Sequence, residues 1–188
     1  KRKTIKNGNH YITQGWVGGT SKKFTGITKT KETFLVPYDG DPNYATSTGF
    51  AINELYDNLS DLNVKSITLI MDACFTGSSR DNLPILADAR PVYIETKSGN
   101  IPSNMVVFTA SSGNEISSGY SEKNHGIFTY FLLKGLNGNA DGNGDRKITV
   151  NEMSSYLSKN VPQQARKMGR EQNPQLLGSE KNRILLAY

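Results

Sequence analysis

Three shortages narrow what this chain can be. Its 188 residues include one cysteine, one tryptophan and two histidines. A lone thiol closes no internal disulfide, which excludes a disulfide-stapled scaffold and leaves the redox compartment open. No apolar run approaches the ~18 residues that a bilayer-crossing helix needs, so no membrane span and no membrane partner are expected. A leader of charged then apolar residues is also missing, and the first residue is Lys1 rather than Met. The location expected from this is cytoplasmic, with the N-terminal part incomplete.

Acidic residues are absent ahead of Glu32, a stretch that holds eight lysines and arginines. The remainder carries 14 cations against 17 acids, a balance of −3, so the net +5 resides in the leading segment. Residues 1–31 therefore read as a basic, polar, solvated N-terminal segment, and residues 32–188 as the folded domain. No nucleic-acid partner is expected. With 36% apolar and 21% charged residues, the chain has the composition of one soluble globular domain whose core needs no staple.

The pattern along the chain alternates strands and helices. Glu32 to Val36 reads as a short strand, stopped by the turn cluster from Pro37 to Pro42. Ile52, Leu55, Tyr56 and Leu59 then share one helical face, with Ser47 or Thr48 available as the cap. Ser66 to Met71 is apolar without alternation, the signature of a strand covered on both faces. Thr76 to Asn104 reads as a long mobile connection, and Met105 to Ala110 as a second buried strand. Phe128, Phe131, Leu132 and Leu136 mark one helix and Val150, Met153 and Leu157 another, after which Ile184 to Ala187 is expected to close the sheet. This order predicts an α/β fold, a mostly parallel sheet sandwiched between helices.

Asp72 and Cys74 fall at the carboxyl end of a predicted strand, where open α/β sheets bind their ligands. Two readings of the thiol stand side by side: a nucleophile next to a Gly/Ser loop whose amides stabilise an oxyanion, or a small core residue ending its strand. For Asp72 the bland reading is a carboxylate capping nearby amides. Further on, Asp141, Asn143, Asp145, Thr149 and Glu152 stand at positions 1, 3, 5, 9 and 12 of a calcium-loop spacing, with Lys147 offering its carbonyl. Arg146 occupies the place where such loops usually carry Gly. The competing reading is a polar turn with Glu152 in the first turn of the next helix.

The run Leu69-Ile70-Met71-Asp72-Ala73-Cys74-Phe75-Thr76-Gly77 resembles the strand-end motif of caspase-like cysteine peptidases. It is close to the D-x-C-x-S-G form of metacaspases and their bacterial relatives, and it departs from the animal pattern Q-A-C-x-G. Phe34 to Asp41, Val107 to Ser112, His125 to Tyr130 and Asn173 to Leu176 are similar to further segments of that subfamily in the same order. The resemblance runs from Glu32 to the C-terminus. It implies a caspase-like fold and a cysteine endopeptidase in which Cys74 attacks the scissile carbonyl with a histidine as its base. Asp72, two residues before the nucleophile, would line the S1 pocket and select Arg or Lys at P1. The partner implied is a polypeptide substrate, with no cofactor required for the chemistry and calcium at the loop as an addition. Arg80, Arg90 and Lys97 offer self-processing sites, and oligomeric state is left open.

The family's S-G-H-G motif is missing, and Gly15-Trp16-Val17-Gly18-Gly19 stands in that neighbourhood instead. The N-terminal part is accordingly expected to be truncated or replaced. His125 matches a family position at a helix start and is read as structural. His10, 64 residues before Cys74, is the other candidate base, or else an exposed histidine of the arm. Three outcomes stay open: an incomplete copy of an active peptidase, an enzyme using His10, or a non-catalytic homologue serving as a calcium-dependent interaction module.

Overall fold

The segment Met105–Thr109 has no polar alternation, and each of its five residues is buried. Met105, Val106 and Val107 are 0% exposed. A strand buried on both faces has to feed two cores, and this one does. The structure is a computed structural model that describes residues 3–7, 10–14, 25–29, 32–36, 44–72, 101–112, 115, 117–123 and 125–188.

The first described elements are strands β1 (Lys3–Asn7), β2 (His10–Gln14), β3 (Thr25–Lys29) and β4 (Glu32–Val36). They are followed by the helical turn α1 (Ala45–Thr48), strand β5 (Phe50–Ala51), helix α2 (Ile52–Ser60) and strand β6 (Ile67–Met71). The second half contains β7 (Met105–Thr109), β8 (Gly119–Tyr120), β9 (His125–Gly126), helix α3 (Ile127–Lys134) and β10 (Lys147–Thr149). Helix α4 (Val150–Lys167) and strands β11 (Gln175–Leu177) and β12 (Ile184–Ala187) complete the order.

At the centre β7 pairs with β6 in parallel, Ile67 opposite Met105 and Met71 opposite Thr109. On its other edge it pairs with β11 in antiparallel register, Gln175 opposite Thr109. Successive residues of β7 then point to opposite faces. Val106, Phe108 and Ala110 pack with Ile127, Phe128 and Leu132 of α3 and with Val150, Met153, Leu157, Val161 and Ala165 of α4. Met105 and Val107 pack with Ile52 and Tyr56 of α2 and with Ile67 and Met71 of β6. Helices thus lie on both faces of β7, and the fold is α/β.

Four expectations are revised by this arrangement. Among the described residues the central sheet is mixed, with one parallel and one antiparallel pair, rather than mostly parallel. The last strand, Ile184–Ala187, does form, but it pairs with β10 in a separate two-stranded sheet, and Gln175–Leu177 takes the place beside β7. Strand β6 is not covered on both faces: Ile67 and Met71 are buried while Thr68 is exposed and Ile70 is 44% exposed. Register sets Thr68 beside Val106 and Ile70 beside Phe108, so the layer of α3 and α4 covers β7 and stops short of β6. Helix α2 starts after Ala51 with no side-chain cap, because Ser47 and Thr48 belong to the preceding turn, where the Thr48 hydroxyl donates to the Tyr44 carbonyl at 3.0 Å.

The leading segment also holds more than a polar arm. Strands β1 and β2 pair in antiparallel register, Lys3 opposite Gln14 and Asn7 opposite His10. Strand β3 pairs with β4, Thr25 opposite Val36, so segments on either side of residue 31 share one sheet. Of the connection from Thr76 to Asn104, residues up to 100 lie outside the described ones. Among the described residues no helix is long and apolar enough to cross a membrane.

Gly178, just after β11, has φ +105°, and a Cβ there would run into the Met105 carbonyl oxygen and sit 3.2 Å from the Val106 Cα. Gly144 has φ +75° with nothing within 4 Å of its Cβ position. Gly178→Ala should therefore cost about 2–3 kcal/mol, combining backbone strain with overpacking, while Gly144→Ala should cost about 1 kcal/mol. Urea midpoints at unchanged slope measure the difference.

Candidate functional site

Asp72 leaves the carboxyl end of β6 directly. The Ala110 amide donates to the Met71 carbonyl at 2.9 Å, so β6 and β7 stay locked together one residue past the ladder. Past Ala110, Ser111, Ser117 and Ser118 are buried, and their polar groups need internal partners.

The Asp72 carboxylate, partly buried, receives two hydroxyls. One comes from Ser117, whose Oγ donates to Oδ1, and the other from Thr129, whose Oγ1 donates to Oδ2 at 2.5 Å. These donors arrive from different elements. Thr129 lies in the first turn of α3, and the Ile127 amide opening that helix donates to the Ser118 carbonyl at 2.9 Å. Between them runs the β8–β9 hairpin, with Gly119 opposite Gly126 and Tyr120 opposite His125. The start of α3 is thereby tied to the residue following Ser117.

Two side chains from the segment before β11 and from the 111–118 loop finish the cluster. The Gln172 amide, 0% exposed, donates from Nε2 to the Ala110 carbonyl and accepts the Ser118 amide at Oε1, both at 2.9 Å. Glu115 accepts the Asn173 amide at 2.6 Å, the Asn173 side-chain Nδ2 at 2.5 Å and the Ser112 amide at 3.2 Å. Neutral hydroxyl donors orient a carboxylate without cancelling its charge. The arrangement can present a fixed negative charge at the end of a parallel strand pair.

Of the sequence-derived candidates, Asp72 stands in this cluster and Cys74 lies outside the described residues. His10 opens β2 opposite Asn7, in the two-stranded sheet with β1. His125 is exposed in β9, immediately ahead of the N-cap Gly126 of α3. Ser117, Thr129 and Gln172 were not legible as site residues. Their partners lie 45, 57 and 62 residues away, and a single polar residue carries no periodic signal of so distant a contact.

The calcium-loop candidates form a turn closed by its own amides. Asp141 accepts the Gly144 amide at 2.7 Å and the Arg146 amide at 3.0 Å, Asn143 accepts the Asp145 amide, and Asp145 accepts the Lys147 amide, each of the last two at 2.9 Å. Arg146 takes the left-handed conformation, φ 61°, that Gly usually supplies at this place. The Tyr188 hydroxyl donates to Asp141 at 3.1 Å. Burial disfavours the charge on Asp141, yet the Gly144 amide, the Tyr188 hydroxyl and the Arg146 and Asp145 amides together hold its carboxyl below the ordinary range. Glu152 turns back to form a capping box with Thr149, accepting its amide at 2.9 Å and its hydroxyl at 2.8 Å. Among the described residues no group of three or more His, Cys, Asp or Glu is gathered to hold a metal.

No protein-family model matches the chain, and no curated protein matches it.

The Thr149 amide, then its hydroxyl, and then the Gly142 amide hold the Glu152 carboxyl below its usual range, against burial and the Asp141 charge. A depressed folded-state pKa gives stability that is present above the unfolded value, about 4.3, and is lost as pH falls through the folded value. Thr149→Ala should cost about 1 kcal/mol at pH 7. The deficit of Glu152→Gln relative to the parent should shrink as pH falls below about 4, and paired urea melts at pH 7 and pH 3 read both effects.

Proposed function

We propose that the chain is a caspase-like cysteine endopeptidase that cleaves after Arg or Lys. Cys74 is its nucleophile and Asp72 the acid that selects the P1 residue. The observation that carries this reading is the Asp72 carboxylate at the carboxyl end of β6, oriented by Ser117 and Thr129 from two separate elements. In the motif Asp72-Ala73-Cys74 the thiol follows that acid by two residues. Helices on both faces of β7 and the order of elements support a caspase-like fold as the frame.

The chemistry needs a thiolate and a proton acceptor. The Cys74 sulfur attacks the scissile carbonyl carbon, and a C–S bond forms as the C–N bond breaks. The proton taken from the thiol passes to the leaving amine, and water then releases the acid product from the thioester. His10 is the base candidate within the chain. Across about 4 Å, at an effective dielectric near 20, Asp72 and a P1 guanidinium attract by about 4 kcal/mol, part of which is offset by desolvation.

An arginyl chloromethyl ketone should add its mass to Cys74 and to nothing in Cys74→Ala. Asp72→Asn should lower kcat/KM for an Arg substrate about a hundredfold, or about 2.7 kcal/mol, with little effect on a P1 Ala substrate. His10→Ala separates an enzyme that uses this base from one that does not. Absence of any label on Cys74 sinks the peptidase reading.

A second reading is favoured by Arg146. A bulky residue held in the left-handed conformation at the sixth place of a D-x-N-x-D loop is a turn of calcium-loop shape without its Gly. Carboxylate and carbonyl oxygens have a second lone pair, so Asp141, Asn143, Asp145, the Lys147 carbonyl and Glu152 would still have acceptors to offer an ion that drew them together. On this reading the chain is a calcium-dependent interaction module. Calcium at a hundredfold excess over its dissociation constant should stabilise the protein by about 2.7 kcal/mol, an effect that Asp141→Asn removes. An unchanged Tm in calcium excludes it.

A further inference from the structure

A fully buried glutamine needs a reason, because each end of its amide has to be matched inside the protein. Gln172 lies between α4 and β11, is 0% exposed, and has both ends matched. What it joins is informative. The Ala110 carbonyl belongs to the residue that ties β7 to Met71, next to Asp72. The Ser118 amide belongs to the residue after Ser117, whose hydroxyl lies on one oxygen of Asp72. The Ser118 carbonyl accepts the amide that opens α3, and α3 brings Thr129 to the other oxygen. One buried amide therefore stands behind both hydroxyls.

The neighbouring residue holds Gln172 in place. Asn173 is gripped through its amide and its side chain by Glu115, which also accepts the Ser112 amide from the start of the same loop. A Leu or Met of similar volume would fill the space as well as Gln. Neither would bridge the two backbone groups, and residues 110 and 118 would lose one of the ties between them.

We propose that Gln172 is a positioning residue for Asp72, setting through Ser118 the placement of the Ser117 and Thr129 hydroxyls and hence the direction of the carboxylate. The assignment rests on the peptidase reading for its consequence, selection of the P1 cation. Its geometric part is testable without turnover. Gln172→Met keeps the volume and removes the bridge.

In protein labelled with carboxyl-13C aspartate, the Asp72 carbon signal should move in Gln172→Met in the same direction as in Ser117→Ala. It should stay in place in Leu157→Ala, a buried α4 variant that loses stability without removing any hydrogen bond of the cluster. With an Arg substrate, Gln172→Met should raise KM about tenfold with kcat within about twofold, because orientation of the P1 contact is lost and the reacting thiol is untouched. If the parent cleaves and Gln172→Met changes neither signal nor KM, the positioning role is overturned and the peptidase reading survives. If the parent neither cleaves nor takes the label but the signal still moves, the peptidase reading fails and the hold on Asp72 stands. A signal that moves equally in Leu157→Ala overturns the proposal, since general loosening would then explain it.

Discussion

The carboxyl end of β7 runs on inside the protein, and polar groups there cannot turn to water. Thr109, Ser111, Ser117, Ser118 and Gln172 are all buried. Leaving one such group unmatched costs about 1–3 kcal/mol, a large share of a typical domain's stability. Internal bonds meet the need: Thr109 to the Ser111 carbonyl, Ser111 to the Glu115 carbonyl, Ser117 to Asp72, and the Ser118 amide to Gln172. The end of β6, the loop after β7, the first turn of α3 and the segment before β11 become one network. No member can shift without breaking a buried bond.

The parts legible in the sequence were those written in local patterns. The apolar run of β7, the face formed by Val150, Met153 and Leu157, and the Ile52 to Leu59 periodicity all appear as buried elements or faces. The partner of the last strand was not legible. Ile184–Ala187 and Gln175–Leu177 are both short and half-buried, and which of them joins β7 depends on the path of the chain after α4. One-sided burial of β6 was not legible for a similar reason. Its residues are as apolar as those of β7, and only the reach of the helix layer separates them.

The site was half legible. Asp72 and Cys74 stand in a compact motif, and a charge at a strand end is a local signal. The hydroxyls and the glutamine that orient the charge come from three other places in the chain. At the second polar site, the loop from Asp141 to Glu152, the pattern was local, since its amide bonds stay within the loop, at most five residues apart in the turn and ten from Gly142 to Glu152. The Tyr188 hydroxyl on Asp141 is the exception, brought in by the pairing of β12 with β10.

The bland account of Asp72 is a carboxylate that ties segments together, and its bonds can be weighed against that account. Ser117 and Thr129 are hydroxyls, able to donate or accept. An asparagine in the same place would serve them both, its oxygen accepting one hydroxyl and its NH2 donating to the other. The two bonds therefore do not call for a charge. Partial burial of a carboxylate carries a desolvation cost that an amide avoids, several kcal/mol for a deeply buried ion and less at this depth. Under the proposed function, the charge at this strand end, two residues ahead of a thiol, would serve to select a cationic P1 side chain.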